Sequence, residues 1–330
     1  MKRALTGIAA VALFFMLGAC GGGAETSAVE GRDSVAARGT IGFSAMTLTN
    51  PFFKIIADTM TQEAERHGFE VVVTDADRDV NLQSQQVDNF LASGVAAIVL
   101  NPVDRIAIGP AVRRANEAGV PVFTSDLQAV AEGVEIAGHV GTDNYQGGLL
   151  AGEAMIEALG EAGGEVLILH FKQANSCVLR VDGFRRAIEE YNNDRSDGRI
   201  EIVAELEGGG LRDEGYRAMA DGIQAHPDLA GVFAINDPSA LGARTALEQA
   251  GRADQVKIVG FDGEMAGRQA IREGKIYADP IQYPDRMGAM TVRNIVSYLD
   301  GEDFERVHLI PTELYRQADA ERDPTLDQGP

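Results

Sequence analysis

The sequence lacks tryptophan, has only two cysteines and is short of basic residues. Its 29 lysines and arginines stand against 50 aspartates and glutamates, which gives a formal net charge of −21 at pH 7. Such an acidic chain is repelled by nucleic acids and anionic surfaces, so nucleic acid is not expected as a partner. The hydrophobic content of 45% fits a soluble globular protein, and 330 residues are enough for about two domains.

Sequence motifs of several enzyme classes are also absent. No Gly-x-Gly-x-x-Gly turn follows the first apolar run and no P-loop occurs, which argues against a nucleotide cofactor. The five histidines are scattered, without the His-Glu-x-x-His spacing of a zinc site, and no Gly-x-Ser-x-Gly elbow supplies a serine nucleophile. The sequence therefore predicts no catalytic residue, no metal and no cofactor. An enzyme that uses paired carboxylates on a small carbohydrate stays open as an alternative.

The N-terminal segment has the layout of a lipoprotein signal peptide. Two basic residues precede Leu5–Leu17, an apolar run too short to span a bilayer as a mature helix. The run ends in Leu17-Gly18-Ala19-Cys20, which resembles the lipobox of bacterial lipoproteins, whose cysteine is acylated after cleavage. We therefore expect residues 1–19 to be removed, acylated Cys20 to anchor the protein in a lipid bilayer, and residues 20–39 to form a flexible tether. This places the protein outside the cytoplasm, in the periplasm or at the cell surface.

Cys177 is then the only free thiol, so no intrachain disulfide is expected and stability must come from burial of a core. Its side chain is interpreted either as a small buried residue or as part of a pocket wall.

From Thr40 onward, apolar strand candidates alternate with helical patterns. Runs that are almost wholly apolar are typical of a parallel sheet covered on both faces. The strand candidates are Thr40–Ser44, Glu70–Thr74, Ala97–Leu100, Val120–Thr124, Glu165–His170, Ile200–Glu205, Gly231–Ile235, Val256–Phe261 and Ile276–Ile281. The helical patterns cover 51–66, 81–92, 105–118, 145–159, 180–191, 212–225, 238–250, 264–273 and 286–299. Two successive blocks of this kind predict an α/β protein with two doubly wound lobes.

Polar and aromatic side chains follow the strands at the point where each strand ends. In open α/β sheets, ligands bind at the carboxyl ends of the strands. The residues at these positions are Asn50, Phe52, Phe53, Asp126, Arg180, Asn236, Asp237, Asp262 and Gln282. If the two rims face one another, carboxylates, amides and a guanidinium can bind the hydroxyl groups of a small molecule, while its apolar face lies on a phenyl ring.

Structural roles are the alternative for each of these residues. Phe52 and Phe53 could pack in a core, and the aspartates could serve only as turn or N-cap residues. Arg180 could be a solvated helix residue, and Gln282 could belong to a connecting loop. Their joint placement at the strand ends favours a binding site.

The chain resembles the periplasmic sugar-binding proteins of ABC importers, of the ribose and fructose type, over about residues 40–315. The resemblance rests on short motifs that together are specific to that family. They are Asn50-Pro51-Phe52-Phe53, Asn101-Pro102 with Asp104, Gly141-Thr142-Asp143-Asn144, Arg180 with Gly183-Phe184, Phe233-Ala234-Ile235-Asn236-Asp237 and Val259-Gly260-Phe261-Asp262-Gly263.

The resemblance implies a type I periplasmic binding fold, with a three-segment hinge near Thr142–Asp143, Gln282–Tyr283 and Pro311–Thr312. It implies lobes formed by 40–142 with 283–311 and by 143–282 with 312–318, followed by a loose tail at 319–330. It also implies a monomer that closes on its ligand and delivers it to a membrane permease. The implied ligand contacts are Asn50, Phe52, Phe53, Asp126, Arg180, Asn236, Phe261, Asp262 and Gln282.

Three departures from the ribose pattern affect the expected ligand. Leu127 stands where that pattern has arginine, Met46 where it has serine, and Gly208-Gly209-Gly210 where it has an aromatic of the second lobe. We therefore expect a monosaccharide or polyol in a pocket with one ring fewer, and not necessarily ribose. Asn236-Asp237-Pro238 and Gln282-Tyr283-Pro284 are closer to fructose-type relatives.

Two binding proteins of other classes share this fold. A sugar-responsive repressor would need a helix-turn-helix before Thr40, where the lipobox and tether stand instead. A sensory receptor that passes its signal to a chemotaxis or two-component partner stays open, because the sequence does not separate sensing from transport.

Overall fold

The computed structural model describes residues 37–327, which contain twelve strands and ten α-helices. The strands are β1 (Gly39–Ala45), β2 (Phe69–Asp75), β3 (Ala97–Leu100), β4 (Val122–Ser125), β5 (Gly138–Thr142), β6 (Gly164–His170), β7 (Ile200–Glu207), β8 (Leu229–Ala234), β9 (Lys257–Val259), β10 (Ala278–Ile281), β11 (Val307–Ile310) and β12 (Glu313–Arg316). The helices are α1 (Pro51–Arg66), α2 (Val80–Ser93), α3 (Gly109–Glu117), α4 (Asn144–Leu159), α5 (Asn175–Asn192), α6 (Arg212–Ala225), α7 (Asp237–Gln249), α8 (Met265–Arg272), α9 (Pro284–Asp300) and α10 (Gln317–Ala320). Within these residues, no helix combines the length and hydrophobicity needed to cross a bilayer.

The strands form two six-stranded sheets, one in each lobe. The first has the order β11-β5-β4-β3-β1-β2 and is parallel throughout. The second has the order β12-β10-β9-β8-β6-β7, with β12 antiparallel to β10 at its edge. The predicted fold of two doubly wound lobes is confirmed, with this one antiparallel strand as a difference. Pro311 and Thr312 alone connect β11 of the first sheet to β12 of the second, so β12 enters the second lobe without a preceding helix of that lobe.

Local sequence explains where the helices begin and end. Asn50 caps α1, since its side chain accepts from the Phe52 backbone N–H at 2.8 Å, and Pro51 occupies the first turn. Gly68, Gly94 and Gly119 adopt φ of 78°, 69° and 72°, the left-handed conformation in which glycine ends a helix, as predicted.

The chain passes between the sheets three times, at Asp143, at Gln282–Tyr283 and at Pro311–Thr312. The crossings are bonded to each other: Thr142 Oγ1 donates to Gln282 Oε1 at 2.7 Å, and the Thr312 backbone N–H donates to Gln146 Oε1 at 3.0 Å. A hinge of three segments is therefore present where the sequence predicted one.

The predicted loose tail is wrong for residues 319–327. Ala320 and Leu326 are buried against the second lobe. Asp323 accepts from the Tyr315 hydroxyl at 2.9 Å and pairs with Arg268 at 3.2 Å. These few contacts hold the segment against the second lobe. They come from single residues, which produce no periodic pattern in the sequence, and for this reason the segment was predicted as loose. The anchor at Cys20, the tether up to residue 36 and residues 328–330 lie outside the described residues.

Candidate functional site

The carboxyl ends of the two sheets face each other across a cavity of about 60 Å³. Such a space holds about four to six water molecules, which limits a guest to a small molecule. Eight of the nine predicted ligand contacts line it, and they come from both lobes. They are Asn50, Phe52, Phe53, Asp126, Arg180, Asn236, Asp262 and Gln282.

The first lobe contributes an aromatic corner at the start of α1. The rings of Phe52 and Phe53 meet edge to face, with centroids 5.5 Å apart, and both side chains are buried. Adjacent helical residues point about 100° apart, so the two rings form two sides of the cavity rather than one flat wall.

Asp126 is the second group of the first lobe. It directly follows β4, and its φ of 61° is rare for a residue other than glycine. Its backbone N–H donates to the Val140 carbonyl at 2.8 Å, which holds this conformation. Its side chain is buried, and Oδ1 has no hydrogen-bond partner among the described residues. Burial raises the pKa of Asp126 to about 7, although the Arg180 charge opposes this rise. A buried carboxyl without a partner at a cavity wall is available to accept a ligand hydroxyl.

The second lobe contributes a guanidinium with fixed orientation. Arg180 Nε donates to Asn144 Oδ1 at 2.8 Å, and Nη1 donates to the Ile235 carbonyl at 2.7 Å and to Asp262 Oδ1 at 2.9 Å. The face of the guanidinium lies 3.8 Å from the centroid of the Phe261 ring. These contacts of the described residues leave Nη2 for a ligand.

Phe261 is the one predicted contact that does not line the cavity. Its ring is fully buried and packs against the Arg180 guanidinium. Its predicted ligand contact stays a prediction, while its observed role is to position the arginine.

Gln282 joins the two lobes next to the cavity. Its Nε2 donates to Asp262 Oδ1 at 2.6 Å, while its Oε1 accepts from Thr142 of the first lobe. Burial raises the pKa of Asp262, and the Arg180 charge opposes this effect. Hydrogen bonds through Gln282 therefore connect the carboxylate of Asp262 at the cavity to Thr142 at the hinge.

Asn236 and Asp237 have different positions although they are neighbours. Asn236 lines the cavity, caps α7 by accepting from the Ser239 backbone N–H at 3.1 Å, and donates to the Gly210 carbonyl at 3.0 Å. Asp237 points away from the cavity into the second lobe, where its Oδ2 accepts from the Glu264 backbone N–H at 2.6 Å.

Residues 41–303 match the family model described as the periplasmic binding protein domain. The chain belongs to this family. The resemblance drawn from the motifs is confirmed, and so is the two-lobed fold that it implied.

Related periplasmic binding proteins from several bacteria support the assignment of the chain to this family. The ribose import binding protein RbsB of Escherichia coli is 33% identical over 278 residues, which are 84% of this chain and 90% of that protein. The D-apiose import binding protein of Paraburkholderia graminis is 36% identical over 233 residues, 71% of this chain and 72% of that protein. A solved ABC transporter solute-binding protein of Bacillus halodurans, with bound myo-inositol, aligns with a TM-score of 0.77 and 31% identity over 88% of this chain and 98% of that one.

Arg78 and Phe171 are among the cavity residues of this periplasmic binding protein that were not predicted. Arg78 follows β2 and Phe171 directly follows β6, so the rule that ligands bind at strand ends places both near this edge of the sheets, although it does not give the direction of their side chains. Phe171 also supplies an aromatic ring of the second lobe to the cavity, while the expectation of one ring fewer than in the ribose pattern stays a prediction. A Cβ at Gly210 would lie 3.6 Å from the Phe171 ring, in ordinary van der Waals contact, so this aromatic of the second lobe packs beside the glycine run.

Cys177 is both buried and part of the cavity wall. Burial raises the pKa of its thiol to about 11, so at neutral pH it behaves as a small apolar group.

The site has the chemistry of a hydroxyl-binding pocket. Arg180 and Asp262 neutralise each other, Asp126 offers an acceptor, and phenyl rings from both lobes line the same cavity. Within residues 37–327, no group of three or more histidine, cysteine or acidic side chains is placed to hold a metal ion.

Proposed function

We propose that this periplasmic binding protein is an extracytoplasmic solute-binding protein that captures a monosaccharide or polyol between its lobes. The observation that carries the proposal is the free Oδ1 of buried Asp126, in the same cavity as the Arg180–Asp262 ion pair. Hydrogen bonds to charged groups contribute about 1.5–3 kcal/mol each. Three or four such bonds reach micromolar affinity, about −8 kcal/mol, after the costs of ordering.

The ligand contacts in this proposal are the eight cavity residues of the predicted set, with Phe261 behind Arg180. The names of the relatives, which import ribose and D-apiose, support a sugar as the ligand and an ABC transporter permease as the partner. In this account the protein performs no chemistry on its ligand. It acts as a monomer that closes on the sugar and presents the closed form to the permease, with lobes at 40–142 plus 283–311 and at 143–282 plus 312–318.

A thermal-shift screen tests the proposal directly. The sugar panel consists of D-ribose, D-apiose, D-allose, D-fructose, myo-inositol and glycerol. A ligand at a hundred times its Kd adds about 2.7 kcal/mol to the free energy of unfolding, so a true ligand raises the midpoint by several degrees. The proposal fails if every sugar of the panel leaves the midpoint where it is without sugar.

The lipid anchor is a separate part of the proposal. It rests on the sequence Leu17-Gly18-Ala19-Cys20, in which the cysteine would be acylated and residues 1–19 removed. In cells, the unaltered protein should pellet with membranes, and Cys20→Ser should release it into the soluble extracytoplasmic fraction. Cys177→Ser is the matched control and should still pellet. Equal pelleting of all three proteins would refute the anchor.

A further inference from the structure

The cavity is separated from an outer crevice by a wall of three side chains. Met46, Arg78 and Phe171 line the cavity on one side and the crevice on the other. Met46 and Arg78 belong to the first lobe and Phe171 to the second. This wall therefore exists only when the lobes are closed.

Arg78, one of the three wall residues, has an unusual backbone conformation. Its φ is 58°, in the left-handed region, which costs on the order of 1 kcal/mol for a residue other than glycine. Its backbone N–H donates to the Met46 carbonyl at 2.9 Å, which ties the loop after β2 to the loop after β1. The conformation directs the side chain across the cleft instead of along the surface of its own lobe.

On the far side of the cleft, the guanidinium has two contacts. Nη2 donates to the Gly209 carbonyl at 2.7 Å, and the central carbon lies 5.0 Å from the centroid of the Phe171 ring. The Arg78 side chain makes no other hydrogen bond among the described residues, so the N–H groups of Nε and Nη1 remain available to donate to a ligand. The side chain of Leu127, which follows Asp126 at the cavity, offers no hydrogen-bond donor.

We propose that Arg78 is a specificity-determining residue of the sugar site, which closes the cavity against Phe171 and donates to an oxygen of the bound ligand. This assignment rests on the proposed function of the cavity. An arginine has donors and no acceptor, so the group it faces must be a hydroxyl or ring oxygen. A site built to bind an oxygen discriminates strongly against an analogue that lacks it, because its buried donors are then left unpaired.

The test compares Arg78 with a second arginine that also crosses the cleft. Arg105 of the first lobe donates through Nη1 to Asn175 Oδ1 of the second lobe at 3.2 Å, but it does not line the cavity. Calorimetric titrations with the sugar panel use the full-length Cys20→Ser chain as parent. We expect Arg78→Ala to weaken binding of the best-bound sugar at least tenfold. The ratio between the affinities for the best-bound and the second-best sugar should also fall. Arg78→Lys should recover part of the loss, and Arg105→Ala should lose less than threefold with the rank order kept.

Two titration results would overturn the assignment of Arg78. One is Arg78→Ala with affinities within twofold of the parent and the same rank order. The other is an equal loss in Arg105→Ala, which would reduce Arg78 to a contact that only stabilises closure.

Alkylation of Cys177 separates this assignment from the proposed function. In the Cys20→Ser chain, Cys177 is the only thiol, and it lines the cavity behind the wall. The best-bound sugar, at a concentration that saturates each protein, should slow alkylation of Cys177 by iodoacetamide at least tenfold in the parent and in Arg105→Ala, but less than threefold in Arg78→Ala. A parent-like slowing in Arg78→Ala would overturn the closing role, even if sugars bind. If no panel sugar binds the parent, the proposed function fails, and the ligand contact of Arg78 fails with it.

Discussion

Arg180 and Asp262 form an ion pair inside the second lobe, with 2.9 Å between Nη1 and Oδ1 and side chains that are only 4% and 7% exposed. Surface ion pairs contribute little to stability, but a buried pair that loses one member leaves an uncompensated charge. The pair is also bonded to the hinge through Gln282. Ligand binding, lobe closure and folding therefore depend on the same few atoms.

Arg180→Ala should weaken sugar binding at least tenfold, about 1.4 kcal/mol, because the ligand loses a donor and Asp262 loses its partner. The same change should lower the free energy of unfolding by about 3–5 kcal/mol, measured by urea denaturation. Arg186→Ala is the matched control on the same helix, since Arg186 forms an exposed ion pair with Glu190. The control should stay within about 0.5 kcal/mol of the parent. Parent-like affinity in Arg180→Ala would remove this residue from the site.

Asp126 makes sugar affinity depend on pH near neutrality. Burial raises its pKa to about 7, and only the carboxylate form accepts a ligand hydroxyl at both oxygens. We therefore expect affinity to fall as the pH is lowered from 8 to 6. Asp126→Asn has nearly the same shape and cannot titrate, so its weaker binding should show a flatter profile, measured by calorimetry at several pH values. The same pH dependence in parent and variant would assign the titration to another group.

Asp237 and Asp279 form a buried acidic pair behind the cavity. Burial raises the pKa of both, and for Asp237 the nearby Asp279 charge raises it further. A carboxyl whose pKa is raised on folding stabilises the protein at acid pH, and this contribution is lost as the pH rises through the folded pKa. Asp279→Asn removes one acid of the pair, so its stability relative to the parent should increase as the pH is raised from 5 to 8.

Comparison of Asp279→Asn with the parent isolates the contribution of the Asp237–Asp279 pair to the pH dependence of stability. His139 and His170, whose pKa values burial lowers to about 4, affect stability in the opposite direction over part of this range and cancel in the difference. Urea denaturation of both proteins at pH 5 and pH 8 measures the effect. A difference in stability that is constant with pH would contradict a raised pKa in the pair.

Close packing of α4 and α5 holds Arg180 in place. A Cβ at Gly148 would lie 2.1 Å from the Arg180 carbonyl oxygen, and a Cβ at Gly183 would lie 2.2 Å from the Tyr145 carbonyl oxygen. Gly148→Ala should therefore separate the helices, lower the free energy of unfolding by about 1–3 kcal/mol and weaken sugar binding. Glu153→Ala, at an exposed position of α4, is the control. Unchanged stability in Gly148→Ala would show that the interface adjusts without moving α5.

Much of the fold could be predicted because it depends on local patterns. The bounds of α1 and α6 agree with the periodicity of the sequence, since a cap, a proline or a run of helix-forming residues fixes them. Elsewhere, side chains shift the bounds. α3 begins at Gly109 and not near 105, because the Asp104 side chain accepts from the backbone N–H groups of Ile106 and Ala107 and forms a turn first.

The lining of the cavity could be predicted where a residue directly follows a recognised strand, as Asp126 does, or caps the helix that comes after it, as Asn50 does. Arg78 was missed because its direction depends on a positive φ and on contacts with Phe171 and Gly209, which are distant in sequence. Phe261 was predicted as a ligand contact, but the sequence could not show that its ring packs on the Arg180 guanidinium and does not line the cavity. Side-chain direction of this kind is decided by packing between elements, not by local pattern.

The most direct test of the central claim is calorimetric titration of the sugar panel into the Cys20→Ser chain and into Asp126→Asn in that background. We expect at least one sugar to bind the parent with one site per chain and micromolar or tighter Kd, and the same sugar to bind Asp126→Asn at least tenfold more weakly at pH 8. Absence of binding by every sugar, or equal affinity in both proteins, would contradict it.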